Sequence, residues 1–350
     1  MANFPTGPDE VTAAWLSQIL GTRVDGVRCK PIGTGQVGDS YRFHCEGEGG
    51  PATFAGKFPA ADEASRGTAA MLGLYRKEVE FYRQAADRLD CRMPRTLFAD
   101  VDESGAQFLL LFEDLGPARQ GDQVSGCELS DARSAIVQAA ALHASSWGKE
   151  DMLTAEWVQS APGLSAQIEA MYPQAQAVFR ERYADKLDAE HMTVCDELAG
   201  LAPVYFGRSP QPECLVHGDF RLDNMLFDVR GGEEPIAILD WQTVTAGKAM
   251  TDIGYFLGTG LGALGLDHAE DLLALYLEEM TDRGIALSRE AIDHDFRLGI
   301  LHGISTAVFS AAFVERTTRG DANFLSMARG GCALALRYDS IGALKEEASV

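Results

Sequence analysis

IGTGQVGDSYRFHCEGEGGPATFAGKF, residues 32–58, decides the fold. Gly33, Gly35 and Gly38 stand in the spacing G-x-G-x-x-G, which two unrelated nucleotide sites use. In one, the glycines close a strand-to-helix turn whose helix N-terminus takes the pyrophosphate of a dinucleotide. In the other, they turn one antiparallel strand into the next over the phosphates of ATP. With 36 glycines in the chain the triplet alone could also be an ordinary β-turn, so the residues after it must choose. Tyr41, Phe43 and Cys45 alternate as one face of a half-buried strand. Glu46–Pro51 is a cluster of turn residues, and Thr53–Phe58 reads as a second strand carrying Lys57. A hairpin stands where a dinucleotide fold needs a helix. The dinucleotide reading falls.

Working outward, Asp9–Leu20 is a first helix candidate, with Val11, Trp15 and Ile19 on one face. After Lys57, residues 62–89 predict one long helix: Leu72, Tyr75, Val79, Tyr82 and Leu89 recur at helical spacing, with Glu78 on an adjoining face. Thr96–Val101 and Phe108–Phe112 read as further strands. Beyond Glu113-Asp114-Leu115 the texture turns helical: 130–147 with Ser130 as its cap, most of 160–200, and nearly everything after 251. One strand-rich insert, 214–240, interrupts it. The fold class expected is α+β and two-lobed. Residues 1–115 make a small antiparallel β lobe with one long helix that binds nucleotide; 116–350 make a larger, mostly α-helical lobe for catalysis and acceptor binding.

Composition bounds the function. The chain carries 52 acidic and 30 basic residues, a net charge of −22, which argues against nucleic acid and anionic membrane as partners. The seven cysteines are dispersed and form no C-x-x-C pair, so neither a disulfide framework nor a zinc knuckle is indicated. No basic-then-apolar leader opens the sequence, and no run approaches the ~20 apolar residues of a membrane span. A reducing cytoplasm is the expected location.

The chemistry concentrates in the insert. Leu215-Val216 delivers His217-Gly218-Asp219 into a loop, and Asn224 follows five residues after Asp219. The chain then turns through Arg230–Glu234 and returns as Ile236-Ala237-Ile238-Leu239, ending in Asp240. An antiparallel hairpin brings Asp219, Asn224 and Asp240 to one end. Two carboxylates and an amide oxygen are hard donors that suit Mg²⁺, with phosphates completing the shell.

His217-Gly218-Asp219-Phe220-Arg221-Leu222-Asp223-Asn224 and Leu239-Asp240-Trp241-Gln242 resemble the catalytic and metal segments of the protein-kinase-like fold. The form is that of the aminoglycoside phosphotransferase, choline kinase and ecdysteroid-kinase-like families. The resemblance covers most of the chain in the expected order: Gly-rich loop, lysine strand, long helix, link, catalytic loop, metal aspartate. It implies ATP and Mg²⁺ as cofactors, with Gly33, Gly35 and Gly38 over the phosphates. Asp219 would orient the acceptor hydroxyl and take its proton, while Asn224 and Asp240 hold Mg²⁺. Lys57 would pair with the α/β-phosphates and be fixed by Glu78, since Glu78–Tyr82 resembles an E-x-x-F-Y helix; Glu80 lies about 200° round that helix. Backbone groups from Glu113 to Leu115 would bind adenine. Arg221 would reach the γ-phosphate or be solvated, His217 would brace the loop, and Asp252 would cap a helix or anchor the loop. His143 matches a family helix position and reads as core packing.

The implied activity is transfer of the γ-phosphoryl of ATP to a hydroxyl of a small metabolite or xenobiotic. Two other readings compete: a catalytically silent nucleotide-binding module, against which intact Lys57, Asp219, Asn224 and Asp240 argue, and a Mg-dependent hydrolase, which leaves the Gly-rich hairpin unexplained. Phe220-Arg221 replaces the Leu-His of many aminoglycoside enzymes, weakening the case for an antibiotic substrate. Only ten residues separate Asp240 from Thr251, no platform for a peptide, so a small hydroxyl-bearing acceptor is expected. The acidic balance leans slightly toward a cationic or amino alcohol.

Overall fold

The computed structural model describes residues 3–34, 38–47 and 51–348; Gly35 lies outside them. Strands β1 (Gly26–Thr34), β2 (Gly38–Glu46), β3 (Thr53–Pro59), β4 (Thr96–Val101) and β5 (Phe108–Glu113) form one antiparallel sheet in the order β1-β2-β3-β5-β4. β1, which ends at Thr34, pairs antiparallel with β2, which begins at Gly38, so strands stand on both sides of the glycines. β5 reads as an unbroken apolar run because both of its faces are covered. Leu109 and Leu111 join Phe43, Phe54 and Leu16 on one side, and Phe108, Leu110 and Phe112 join Tyr75 and Tyr82 on the other.

Two helices differ from the sequence expectation. The first begins later. Pro8–Glu10 is a single 3₁₀ turn, and α1 (Ala13–Leu20) starts on Thr12, whose hydroxyl accepts the Trp15 amide at 3.2 Å. The expected long helix over 62–89 is two, α2 (Glu63–Met71) and α3 (Leu74–Gln84). Gly73 between them takes the left-handed conformation at φ 70°, which stops one helix and re-aims the next. Leu72 therefore faces solvent beside Met71, while Tyr75, Glu78, Val79 and Tyr82 all turn inward.

Past β5 come β6 (Arg119–Gln120), α4 (Leu129–Ser146), β7 (Cys214–Val216), β8 (Met225–Asp228), β9 (Glu234–Ile238) and β10 (Thr245–Gly247). Two small sheets result, β6-β8-β9 and β7-β10. Glu128 rather than Ser130 occupies the cap position of α4, and no side chain caps it. The remainder is helical: 164–183, 189–200, 250–255, 263–282, 289–313, 318–337 and 340–347 are its principal helices. Helix 289–313 is long and apolar enough to cross a membrane by length and composition, yet 61% of its apolar window is buried inside the protein. It is the central helix, packed on 164–183, 250–255 and 318–337.

Candidate active site

Asp219 is held in place from below. Gly218 takes φ 79°, and a Cβ there would stand 2.7 Å from the Thr243 carbonyl oxygen, so the loop has room for glycine alone. His217 is buried; its Nδ1 accepts the Asp219 amide at 3.2 Å, so Nε2 carries the hydrogen and donates it to the Leu239 carbonyl at 2.8 Å. The imidazole thus braces the catalytic loop against the strand that ends in Asp240. Its ring lies 4.8 Å from Trp241, which stacks on Phe81 of α3 at 4.4 Å. Asp252 anchors the same loop, accepting the His217 amide at 2.7 Å and the Gly218 amide at 2.9 Å. His143 does more than pack: it bonds Asp252 at 3.2 Å and the Tyr276 hydroxyl at 2.9 Å. Burial alone would push the Asp252 carboxyl up, but hydrogen bonding and charge from His143, with the Gly218 amide, bring it below its ordinary value.

The Asp219 carboxylate receives three donors. Tyr255 Oη lies 2.7 Å from Oδ1, while Asn224 Nδ2 and Arg221 Nε lie 2.8 and 3.1 Å from Oδ2. Burial raises the carboxyl pKa, yet the Arg221 charge and the Tyr255 hydroxyl more than offset it, leaving Asp219 below the usual carboxylate range. Arg221 is neither extended nor solvated. It folds back on Asp219 and, at 3.3 Å, on Asp223.

The hairpin closes as its sequence implies: Met225 pairs with Ile238, and the Leu239 amide donates to the Asn224 carbonyl at 2.9 Å. Asn224 thereby stands beside Asp240. Its Nδ2 is committed to Asp219, which leaves Oδ1 as the free ligand atom. Asp240 adopts φ 63°, a strained conformation for a residue with a Cβ. Among the described residues no three His, Cys, Asp or Glu side chains gather as a metal cage. Two hard oxygens with phosphate and water completing the shell is the Mg²⁺ pattern, so this donor set fits that ion. Gln242 also stands beside Asp240, its Nε2 donating to Oδ2 at 3.4 Å.

Lys57 on β3 reaches Glu78 on α3 at 2.7 and 2.9 Å and Asp240 at 2.8 Å. Burial alone would push the ammonium pKa down; Asp240 and Glu78 outweigh it and hold Lys57 above its ordinary range. Burial pushes the Glu78 carboxyl up even as Lys57 pulls it down. With both Glu78 oxygens within hydrogen-bond distance of Nζ, the geometry is that of an ion pair. Glu80, by contrast, faces Arg83 and Gln84. Gly33 pairs with Ser40 across a bulge, and Gly38 lets the chain lie close over the lysine: a Cβ there would sit 3.1 Å from the Phe58 carbonyl oxygen and 3.3 Å from Lys57 Cε.

At the sheet's exit, the Glu113 carboxylate points to arginines and not to a base. It binds Arg92 Nη1 at 2.7 Å, the Arg95 amide at 2.8 Å, and Arg230. The Leu115 carbonyl is taken by the Arg230 amide at 3.1 Å. These groups line one cleft of about 2820 Å³ with Lys57, Asp219, Asn224 and Asp240. Sequence reasoning missed Tyr255, His302 (Nε2 to the Gly218 carbonyl, 2.8 Å) and the Arg92–Glu234 pair. Only Tyr255 left a signal, three residues after Asp252 on the same helix face.

Solved structures carry the same fold. A choline kinase from Cryptosporidium parvum aligns at 12% identity over 89% of each chain, with a TM-score of 0.54. The GDP complex of aminoglycoside 2'-phosphotransferase-IIIa aligns at 14% identity over 91% of this chain and 96% of that one, with a TM-score of 0.55. A spectinomycin phosphotransferase in complex with ADP and spectinomycin aligns at 13% identity over 95% of this chain and all of that one, with a TM-score of 0.51. Among curated proteins, acyl-CoA dehydrogenase family member 11 of Mus musculus is 47% identical over 47 residues, 13% of this chain and 6% of that protein's length. Acyl-CoA dehydrogenase family member 10 of the same organism is 43% identical over 60 residues, 5% of its length. Short local matches of that kind leave the rest of those proteins unmatched. The phosphotransferase enzyme family, by contrast, matches from residue 29 to residue 287, a span that includes Lys57, Asp219, Asn224 and Asp240, and the chain belongs to it.

Proposed function

We propose that this phosphotransferase is a small-molecule kinase that moves the γ-phosphoryl of ATP to an alcohol, with Asp219 as the base. The observation that carries the reading is the meeting, in one cleft, of a lysine paired to a helix glutamate with the Asp219–Asn224–Asp240 oxygen cluster. An ionised carboxylate offers about four lone-pair sites. Three are taken by Tyr255, Asn224 and Arg221, which leaves one for the acceptor hydroxyl. That acceptor is therefore aimed as well as held. The weak basicity of Asp219 suits a loose phosphoryl-transfer transition state, where positioning matters more than early proton removal. Asn224 Oδ1 and Asp240 would hold Mg²⁺, which when bound neutralises charge on the phosphate oxygens. Lys57 would exchange part of its contact with Asp240 for the α/β-phosphates, steered by Glu78. The structural neighbours are named for small-molecule acceptors, choline and aminoglycosides, which agrees with the short stretch between Asp240 and helix 250–255. Thermal unfolding with and without Mg-ATP tests the reading. A nucleotide at ~100 Kd should add roughly 2.7 kcal/mol of stability, and no shift with any nucleotide and metal would sink it.

A further inference from the structure

The walls that face Asp219 are helical and apolar. On helix 289–313, His302, Thr306, Phe309 and Phe313 fall at i, i+4, i+7 and i+11, one face, and all line the cleft. The face starts at His302, bonded to the loop carbonyl next to Asp219, and runs about 16 Å at 1.5 Å per residue. Phe313 at its far end is 48% exposed and lines the open cleft. Across from it, helix 164–183 offers Leu164, Ile168 and Met171 at i, i+4 and i+7. Helix 318–337 adds Phe324 and Met327. None of these three helices contributes a carboxylate to the lining; Glu156 and Glu315 do so from connecting turns, both solvent-exposed. A polycation would need desolvated acids here, and the described residues present none on these helices.

Gln167, Ser310, Arg319 and Asn323 place polar groups among these apolar side chains. Asn323, between Gly320 and Phe324 on the same lining face, is only 8% exposed, and its Oδ1 is buried with no hydrogen-bond partner. That oxygen is closed off from the cleft as well as from solvent, so it offers no contact to a molecule lying along the wall.

We infer that the acceptor is an elongated, uncharged alcohol: a reactive hydroxyl at Asp219 and an apolar body along the Phe309–Phe313 face. The inference rests on the kinase reading. In the step it describes, the acceptor oxygen bonds to the γ-phosphorus as the bond to the β–γ bridging oxygen breaks. ADP leaves, and the hydroxyl proton passes to Asp219. The overall acidity of the chain leaned slightly toward a cation; the carboxylates that line the cleft, Asp219, Asp223 and Asp240 among them, come from outside these three helices.

The test is ADP release by the full chain with Mg-ATP across straight-chain alcohols from butanol to decanol, the matching terminal diols, and amino alcohols of equal length. Burial at the transition state should raise kcat/KM roughly three- to four-fold per added methylene until the wall is filled. Mono-alcohols should match or exceed the diols, and amino alcohols should fall below both. Phe313→Glu, at an exposed position, should flatten the chain-length dependence. Amino alcohols or polyamines outrunning the neutral series would overturn the inference and leave the kinase reading standing, as would nucleotide binding with no alcohol phosphorylated. Failure of Mg-ATP to bind at all would remove both.

Discussion

At Asp219 the protein has built a carboxylate that stays ionised while still offering a lone pair. Arg221, Tyr255 and Asn224 each favour the charged form, and together they defeat the burial that opposes it. Because its pKa in the folded protein lies below the unfolded value of about 3.9, this group contributes stability above that pH and loses it as pH falls through the depressed value. Activity follows the same sign. The acid limb of kcat/KM should lie below the ordinary carboxylate range, with no loss between pH ~5 and ~7 from this residue. Tyr255→Phe removes the 2.7 Å hydroxyl bond and should move the limb to higher pH without changing nucleotide affinity. An unmoved limb in a folded variant would show that Tyr255 only packs. Tyr255 also marks the reach of sequence reading at this scale. His217, Asp219 and Asn224 announce themselves by contiguous spacing, whereas a tyrosine three residues past a buried aspartate shows its purpose only when the helix meets the loop.

Among the elements, the break between α2 and α3 is the instructive departure. Apolar spacing reads through residue 72 as though one helix continued, because periodicity records side-chain types and not the φ of a single glycine. Gly73 at φ 70° is what turns Glu78 toward Lys57. A Cβ there would meet no atom within 4 Å, so the cost of replacement is conformational. Gly73→Ala should destabilise the fold by about 1 kcal/mol, the penalty of a left-handed alanine. Gly67, exposed inside α2 with equally open space, should behave oppositely: Gly67→Ala should stabilise by about 0.5–1 kcal/mol. Denaturant melts of the two variants check this, and shifts of the same sign would contradict the account of the break. The strands were more legible. β3 and β5 were readable from β-type runs bounded by turns, and β5 even announced its two covered faces by lacking alternation. The caps of α1 and α4 were not, because Asp9 and Ser130 are suitable cap residues that the chain passes over in favour of Thr12 and Glu128.

On the scale of the whole molecule, the site is an agreement between residues far apart in the chain. Lys57 and Asp240 are separated by 183 positions and meet at 2.8 Å. The sheet's exit is tied to the β8–β9 hairpin by Arg92, Glu113, Arg230 and Glu234, which fixes how the lysine strand stands over the oxygen cluster. The order of motifs made the first relation readable from sequence. The arginine knot was not, since surface-type charges carry no periodic signal and find partners only once the two sheets are assembled. The walls beyond Asp219 were likewise illegible, as three helices distant in sequence each contribute one face. The division of labour across the cleft is the central claim: Asp219 addresses the acceptor, Asp240 the metal-bound phosphates. The most direct test measures turnover and Mg-dependent ATP affinity side by side in Asp219→Asn and Asp240→Asn, after thermal melts show both folded. Asp219→Asn should lose about 10² to 10⁴ in turnover with ATP affinity nearly unchanged, while Asp240→Asn should lose the Mg-dependent part of ATP binding itself. Two variants indistinguishable in both measurements would contradict the account.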